Sequence, residues 1–381
     1  MKKKVFYWSP CLSNIGTVKS TINSTIGLNK YFHRKYEVCI INACGEWSKY
    51  EKIFLNKDIK IINLSFNYYK FLPKKGFFLS RISYLIIFLL SFFPLKRMLK
   101  HYQPDFIILH MLTSLPLMLL FLNNFKTKFI LRISGFPKLN ILRNFLWKKA
   151  CSKLSAITFP TALLMDQLKN KRIFTKKIYF LADAILNLSE YIKNKNFIEI
   201  SRNNNKKKYF ISVGRLTKQK NFSYLISEFN KFAQTSDNFN LLIFGEGEEE
   251  KNLIQLINKY NLGQRVYLMG YSNNIYYYMK NAEALILTSL WEDPGFVLVE
   301  AALSNLFIIS SDCKNGPTEI LLNGKGGLLF NSNEENALYN KLIDFVNFER
   351  DKKKLTIVKK NIKKYTIFQH SQALDNILSR I

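Results

Sequence analysis

Short apolar runs with little polar interruption recur along the chain. Each is followed by a turn and a helical pattern, and this alternation leaves few folds open. In the first half the runs span residues 5–8, 38–42, 59–64, 106–110, 129–133 and 156–159. The series restarts with 209–213, 240–244, 266–269, 284–287 and 307–310, and 328–330 gives a short late strand. Strands spaced by helices predict a parallel, doubly wound sheet. Apolar runs without alternation predict strands covered on both faces. Between the two series lies Ser201-Arg202-Asn203-Asn204-Asn205-Lys206-Lys207-Lys208, the most polar stretch of the chain, which reads as a linker. The expected architecture is α/β: two Rossmann-like doubly wound parallel-sheet domains, residues 1–205 and 206–360. Residues 352–381 form an amphipathic, lysine-rich tail, and a C-terminal helix over 361–381 is expected to pack back on the first domain.

Charge narrows the partners. The 381 residues carry 57 Lys plus Arg against 27 Asp plus Glu, a formal net charge of +30. Such a surplus attracts nucleic acid, an anionic lipid surface or phosphorylated small molecules. A compositional bias toward Lys, Asn, Ile, Phe and Tyr would raise Lys, but it does not explain the scarcity of acids. Five cysteines, Cys11, Cys39, Cys44, Cys151 and Cys313, form no C-x-x-C pair. Their odd number argues against a disulfide framework or a zinc site and fits a reducing cytoplasm. The basic N-terminus enters an apolar run too short for a signal peptide. The longest apolar segment, from Ile82 to Leu95, is shorter than the ~20 residues that span a bilayer and contains Ser83, Ser91 and Pro94. Lys74, Lys75 and Arg81 precede it and Lys96, Arg97 and Lys100 follow. It reads either as a buried helix of the first domain or as a segment lying in a membrane interface.

Ligands of open α/β sheets bind outside the carboxyl ends of the strands, so the residues there are the candidates. The run 209–213 ends in Gly214-Arg215-Leu216 and is soon followed by Lys220. Arg supplies a planar fork and Lys a point charge, a pairing suited to a diphosphate. A solvated basic loop is the plainer reading of these residues alone. The run 284–287 leads to Trp291-Glu292-Asp293-Pro294-Gly295-Phe296-Val297-Leu298-Val299-Glu300. Pro294 and Gly295 suit a turn into a helix whose first N–H groups make an anion site. Glu292 and Glu300 stand eight apart, and a carboxylate near a nucleotide can accept from both ribose hydroxyls. Either could equally be an ordinary helix-start charge.

Taken in order, Gly214-Arg215-Leu216 with Lys220, Gly245-Glu246-Gly247, and the Glu292/Glu300 pair resemble the retaining glycosyltransferases of the GT-B fold, family 4. Asn315-Gly316-Pro317-Thr318-Glu319-Ile320 and Asn323-Gly324-Lys325-Gly326-Gly327-Leu328 resemble that family's late loop and last strand. In the first half Ser13-Asn14-Ile15-Gly16-Thr17 sits where the family has its glycine-bearing loop. The resemblance implies two domains facing across a cleft and a nucleotide-sugar donor, UDP before GDP. It implies that Arg215 and Lys220 neutralise the donor diphosphate, that Glu300 holds the ribose, and that Glu292 lies near the donor sugar. The backbone at Gly295, Phe296 and Val297 would touch sugar and phosphates, and Gly270 with Tyr271 would lie near the base. Gly16 would let the N-terminal loop approach the donor, because it lacks a Cβ. His110 resembles a family histidine that faces the sugar, and Arg132, Ser134 and Gly135 would line the cleft. The family often reads Glu-Gly-Phe-Gly where this chain has Glu292-Asp293-Pro294-Gly295-Phe296, which leaves the identity of the donor sugar open.

With no Asp-x-Asp motif and no His/Cys cluster, no metal and no cofactor are expected; basic side chains and helix N-termini can do the charge work. The expected reaction is transfer of a hexose or N-acetylhexosamine, with retention, to a hydroxyl of a glycan or lipid-linked saccharide in O-antigen or capsule assembly. The expected place is the cytoplasm, peripheral to the inner face of the cytoplasmic membrane. Two alternatives remain: a nucleotide-sugar epimerase of the same fold, and a basic nucleic-acid-binding protein. No nucleic-acid motif is present, and the aromatics lie in apolar runs as core residues do.

Overall fold

A computed structural model describes residues 1–12, 16–73, 77–135, 141–169, 177–195, 207–347 and 352–381. The chain divides into two compact units, residues 1–185 with 365–381, and residues 186–364. Most of the polar stretch 201–208 lies outside the described residues.

The first unit holds β1 (Lys3–Trp8), α1 (Gly16–Phe32), β2 (Tyr36–Asn42), α2 (Glu51–Leu55), β3 (Lys60–Asn63), α3 (Phe77–Tyr102) and β4 (Phe106–Leu109). It continues with α4 (Ser114–Leu122), β5 (Lys128–Arg132), α5 (Ile141–Lys153), β6 (Ala156–Phe159), α6 (Ala162–Lys169) and β7 (Ile178–Phe180). Its seven strands are parallel in the order β3-β2-β1-β4-β5-β6-β7. Successive side chains of a strand point to opposite faces, and β1 shows the result. Phe6 and Trp8 enter a core beneath α3 to α6. Val5 and Tyr7 enter a second core with Trp47, Phe54 and the C-terminal Leu374, Ile377 and Leu378.

The second unit runs α7 (Leu188–Lys195), β8 (Lys208–Val213), α8 (Phe222–Thr235), β9 (Phe239–Phe244), α9 (Glu250–Lys259), β10 (Val266–Gly270) and α10 (Ile275–Asn281). Then come β11 (Ala284–Leu287), α11 (Phe296–Leu303), β12 (Phe307–Ser311), α12 (Pro317–Ile320), β13 (Leu328–Phe330), α13 (Ala337–Asn347) and α14 (Lys352–Asn361). Six parallel strands stand in the order β10-β9-β8-β11-β12-β13. Phe210, Leu241, Ile243, Ala284, Ile286 and Ile309 form one core with Phe229, Phe232, Leu338 and Leu342 of the covering helices. The expected class of two doubly wound parallel α/β units is what the chain adopts.

Three local features differ from the sequence reading. The edge strand β7 was not anticipated: it is three residues long and only half-buried. The apolar segment from Ile82 to Leu95 is the middle of the 26-residue α3, which continues through Pro94. The C-terminal helix expected over 361–381 begins only at Ile367. A 3-10 turn at Ile362–Tyr365 separates α14 from α15 (Ile367–Arg380), and the Thr366 hydroxyl caps α15 by accepting from the Gln369 N–H. α15 then lies along α1, where Tyr36 and Lys35 both reach Asp375.

Candidate functional site

In both sheets the strand order reverses once, and there the loops of adjacent strands diverge and leave a crevice at the strand ends. In the second unit the reversal falls between β8 and β11. These strands pair only over Phe210 and Ile211. Beyond that the Ser212 hydroxyl donates to the Ile286 carbonyl at 2.6 Å. The loop after β8 carries Gly214, Arg215 and Lys220. The loop after β11 carries Glu292, Gly295, Phe296 and Val297, with Glu300 in the second turn of α11.

The structure joins these loops through side chains. Lys220 forms an ion pair with Glu292, both largely buried. The Ser289 hydroxyl donates to the same Glu292 oxygen at 2.6 Å. The Leu290 N–H donates to the Gln219 carbonyl at 2.8 Å, and the Thr288 hydroxyl donates to the Lys220 carbonyl at 2.9 Å. The aliphatic stem of Lys220 lies against Gly214, 3.1–3.2 Å from where a Cβ would stand. A larger residue at Gly214 would push the ammonium from its place. Arg215 is exposed and Glu300 half-buried.

Gly245, at the end of β9, has φ 140°, and a Cβ there would run into the Gly214 carbonyl oxygen. Its N–H donates to the Gly270 carbonyl at 2.8 Å, so the ends of β8, β9 and β10 are tied side by side. Gly295, in the left-handed region at φ 93°, is the N-cap of α11. α11 therefore starts directly after the loop that holds Glu292, and the first turn of a helix is where an anion gains most. Gly316, at φ 147°, packs against the Pro294 carbonyl in a contact that leaves no room for a Cβ.

In the first unit the reversal falls between β1 and β4. Gly16, exposed, opens α1 after β1, and His110 directly follows β4. His110 is buried, and its N–H still donates to the Trp8 carbonyl at 2.9 Å. Burial, reinforced by the Arg132 guanidinium, holds its imidazole well below the ordinary value of 6.5, so the ring is neutral at pH 7. Its Nδ1 is buried without a hydrogen-bond partner. Arg132, expected to line a cleft, is instead buried in a forked pair with Asp183, Nε to Oδ1 at 2.9 Å. Ser20 adds a bond to the same carboxylate at 3.1 Å. Ser134 is exposed and Gly135 half-buried after β5.

Two residues of this machinery escaped the sequence reading. Ser289 carries no signal beyond its place after β11. Asp183 does: a lone acid inside Leu181-Ala182-Asp183-Ala184-Ile185 must find a cation if it is buried. Among the described residues no group of three or more His, Cys, Asp or Glu stands together as metal ligands would.

Residues 193–365 match the family model for glycosyl transferases group 1. An uncharacterized glycosyltransferase of Methanocaldococcus jannaschii is 31% identical over 250 residues, 60% of this chain and 61% of that protein. The N-acetylgalactosamine-N,N'-diacetylbacillosaminyl-diphospho-undecaprenol 4-alpha-N-acetylgalactosaminyltransferase of Campylobacter jejuni is 29% identical over 62% of this chain and 64% of its own length. The matches thus span somewhat under two thirds of these relatives. In fold, the chain is similar throughout to Anabaena HepE in complex with UDP and glucose, with TM-score 0.71, 15% identity and 100% coverage of both chains. The match to the group 1 glycosyl transferases thus falls on residues 193–365, which hold nearly all of the second unit.

Proposed function

We propose that this protein is a retaining glycosyltransferase. It moves a hexose or N-acetylhexosamine from a UDP-sugar to a hydroxyl of a glycan or lipid-linked saccharide, in the assembly of a cell-surface polysaccharide such as O-antigen or capsule. The observation that carries the proposal is the pairing, at the β8/β11 switch point, of Lys220 with Glu292 beside the N-terminus of α11. A cation fixed beside the N-terminus of a helix is suited to a diphosphate. The similarity to a protein solved with UDP and to a transferase named for an undecaprenol-diphosphate acceptor supports the substrate classes.

In this reading the donor diphosphate lies over the start of α11 and draws on Lys220 and Arg215. Glu292 sets the Lys220 ammonium in place before the donor arrives and then stands beside the sugar. Glu300 accepts from the ribose hydroxyls, and Gly270 lies near the base. As the bond from the anomeric carbon to the phosphate oxygen breaks, the cations stabilise the charge that develops on the leaving diphosphate. The acceptor oxygen bonds to the same face of that carbon, and its proton passes to the departing phosphate. This charge work needs no metal ion. In this reading the protein works at the inner face of the cytoplasmic membrane, beside a lipid-linked acceptor.

Thermal shift with UDP, GDP and ADP, each with and without EDTA, tests the donor site, since a ligand of the folded state raises Tm by mass action. Stabilisation by UDP alone, indifferent to EDTA, is the expected result. A shift that vanishes with EDTA would overturn the metal-free reading, and no shift at millimolar nucleotide would overturn the donor site. The anomeric configuration of the product, read by NMR, decides retention.

A further inference from the structure

We infer that the outer face of the α3–α4–α5 helix layer is a docking surface for a bilayer carrying anionic lipids. It rests on the transferase reading only for its purpose, the approach to a lipid-linked acceptor; binding itself does not depend on that chemistry.

The first observation is apolar. On α3, Ile82, Leu85, Leu89 and Phe93 recur at the spacing of one helix face, and all four are exposed, the last three by 57%, 61% and 64%. Leu79 and Leu90 widen the stripe. α4 packs beside α3 and α5 beside α4, and Met118, Leu122 and Phe145 continue the exposed apolar surface across them. Exposed apolar side chains gathered on one helix layer mark an interaction site.

The second observation is charge. Between Asp58 and Asp166 the sequence holds sixteen Lys and Arg and a single acid, Asp105. The carboxylate of Asp105 already accepts the Lys4 N–H. These residues include all of α3, α4 and α5. Arg81 stands near the start of the stripe, and Lys96, Arg97 and Lys100 stand at its end. Lys148 and Lys149 are exposed on α5, with Lys149 seated over the Phe121 ring. Apolar side chains rimmed by Lys and Arg, without acids, fit the headgroup region of an anionic bilayer.

Two other occupants fit less well. A second copy would set one acid-free basic face against another, and like charges across an interface oppose association. A spanning helix is also disfavoured. The segment Leu79–Tyr102 is long and apolar enough to cross a bilayer, its most apolar 18 residues reaching a mean hydropathy of 1.7. However, its inner side supplies Ile87, Leu95, Met98 and Leu99 to the core of the first unit, and crossing would strip them from it.

The test is flotation of the full chain with phosphatidylcholine vesicles and with vesicles that also carry phosphatidylglycerol. Gel filtration and extraction of cell membranes with alkaline carbonate run beside it. The wild-type protein floats with the anionic vesicles, less with the neutral ones, and less as salt rises. The variant L85S/L89S/F93S loses on the order of tenfold or more in partitioning, in line with the apolar area withdrawn from the interface. R97E/K100E loses binding mainly to the anionic vesicles. Both variants change only exposed side chains and keep the wild-type Tm. Absence of flotation with anionic vesicles would overturn the inference, and so would flotation unchanged by either variant. A dimer dissolved by L85S/L89S/F93S without lipid binding would give the face to a second copy, and resistance to carbonate would make α3 a span; either result overturns docking. The UDP thermal shift of the same preparations separates the two proposals: flotation without a nucleotide shift leaves docking standing and removes the donor site.

Discussion

At the scale of the residue, Lys220 has two roles, and they can be separated. Its ammonium neutralises Glu292, which is 6% exposed as a side chain. Removing one partner of a buried pair leaves the other charge uncompensated, at a cost of about 3 kcal/mol or more. Lys220→Met is therefore expected to lower Tm and, through lost contact with the diphosphate, to reduce kcat/KM by about 2–4 kcal/mol of transition-state stabilisation. Adding Glu292→Gln removes the stranded charge, so the double variant recovers much of the Tm and none of the activity. If activity returned with Tm, Lys220 would be a structural cation only. The sequence offered Lys220 and Glu292 as separate ligands of phosphate and sugar. Their pairing was not legible, because 72 residues separate them and only the β8/β11 adjacency brings them together. Arg132 teaches the converse: a basic residue at a strand end reads as a ligand for substrate until its buried partner, Asp183, is seen.

At the scale of the element, strand positions were legible and strand order was not. Apolar runs marked every strand but β7, whose three half-buried edge residues lack the continuous burial that makes a run. The switch points, which explain why most of the candidate residues follow β1, β4, β8 and β11, depend on crossovers that periodicity does not encode. The length of α3 was hidden by Pro94, which removes one helical N–H but here leaves the helix continuous. Glycines carry the close approaches between elements. Gly245→Ala places a Cβ against the Gly214 carbonyl at φ 140°, and the backbone strain alone costs about 1–3 kcal/mol. A lower Tm and a lost nucleotide shift are expected together, because the β8 and β9 ends must part. Gly27, buried in α1, poses a closer contest. Alanine is the better helix former by about 0.8–1.0 kcal/mol, but a Cβ there would collide with Ser371 and Ile367 of α15. Overpacking of this kind costs about 1–3 kcal/mol, so Gly27→Ala should lower Tm and open the C-terminal helix to proteolysis. A rise in Tm would show that α15 can lift without penalty.

At the scale of the whole molecule, buried histidines set the response to acid. His370 of α15 lies against the Ala182 carbonyl, 2.6 Å from its Nδ1, and against the Ser24 hydroxyl, 2.7 Å from its Nε2. A carbonyl can only accept, so Nδ1 carries the proton and Nε2 accepts from Ser24. Ser24 in turn lies 2.9 Å from the Tyr7 hydroxyl, which closes a relay from α15 through α1 to β1. A proton added to Nε2 would require the Ser24 hydroxyl to turn and accept, and burial already disfavours the charge. The imidazoles of His370 and His110 are accordingly both held below the ordinary 6.5. The unfolded chain takes up these two protons as pH falls below about 6.5 while the folded chain does not. Stability is therefore retained above that pH and lost below it, with a limiting slope of about 2.7 kcal/mol per pH unit for two groups. Glu46 acts in the opposite sense. Its buried carboxyl is raised above the ordinary 4.5, so the folded chain keeps a proton that the unfolded chain gives up, and part of the histidine slope is offset while Glu46 stays protonated. Urea titrations from pH 7.5 to pH 5 should thus show falling stability, and His370→Gln should flatten the decline toward the contribution of His110 alone. An unchanged slope in that variant would mean that His370 is protonated in the folded state, and that the bond to Ala182, rather than burial, governs its charge.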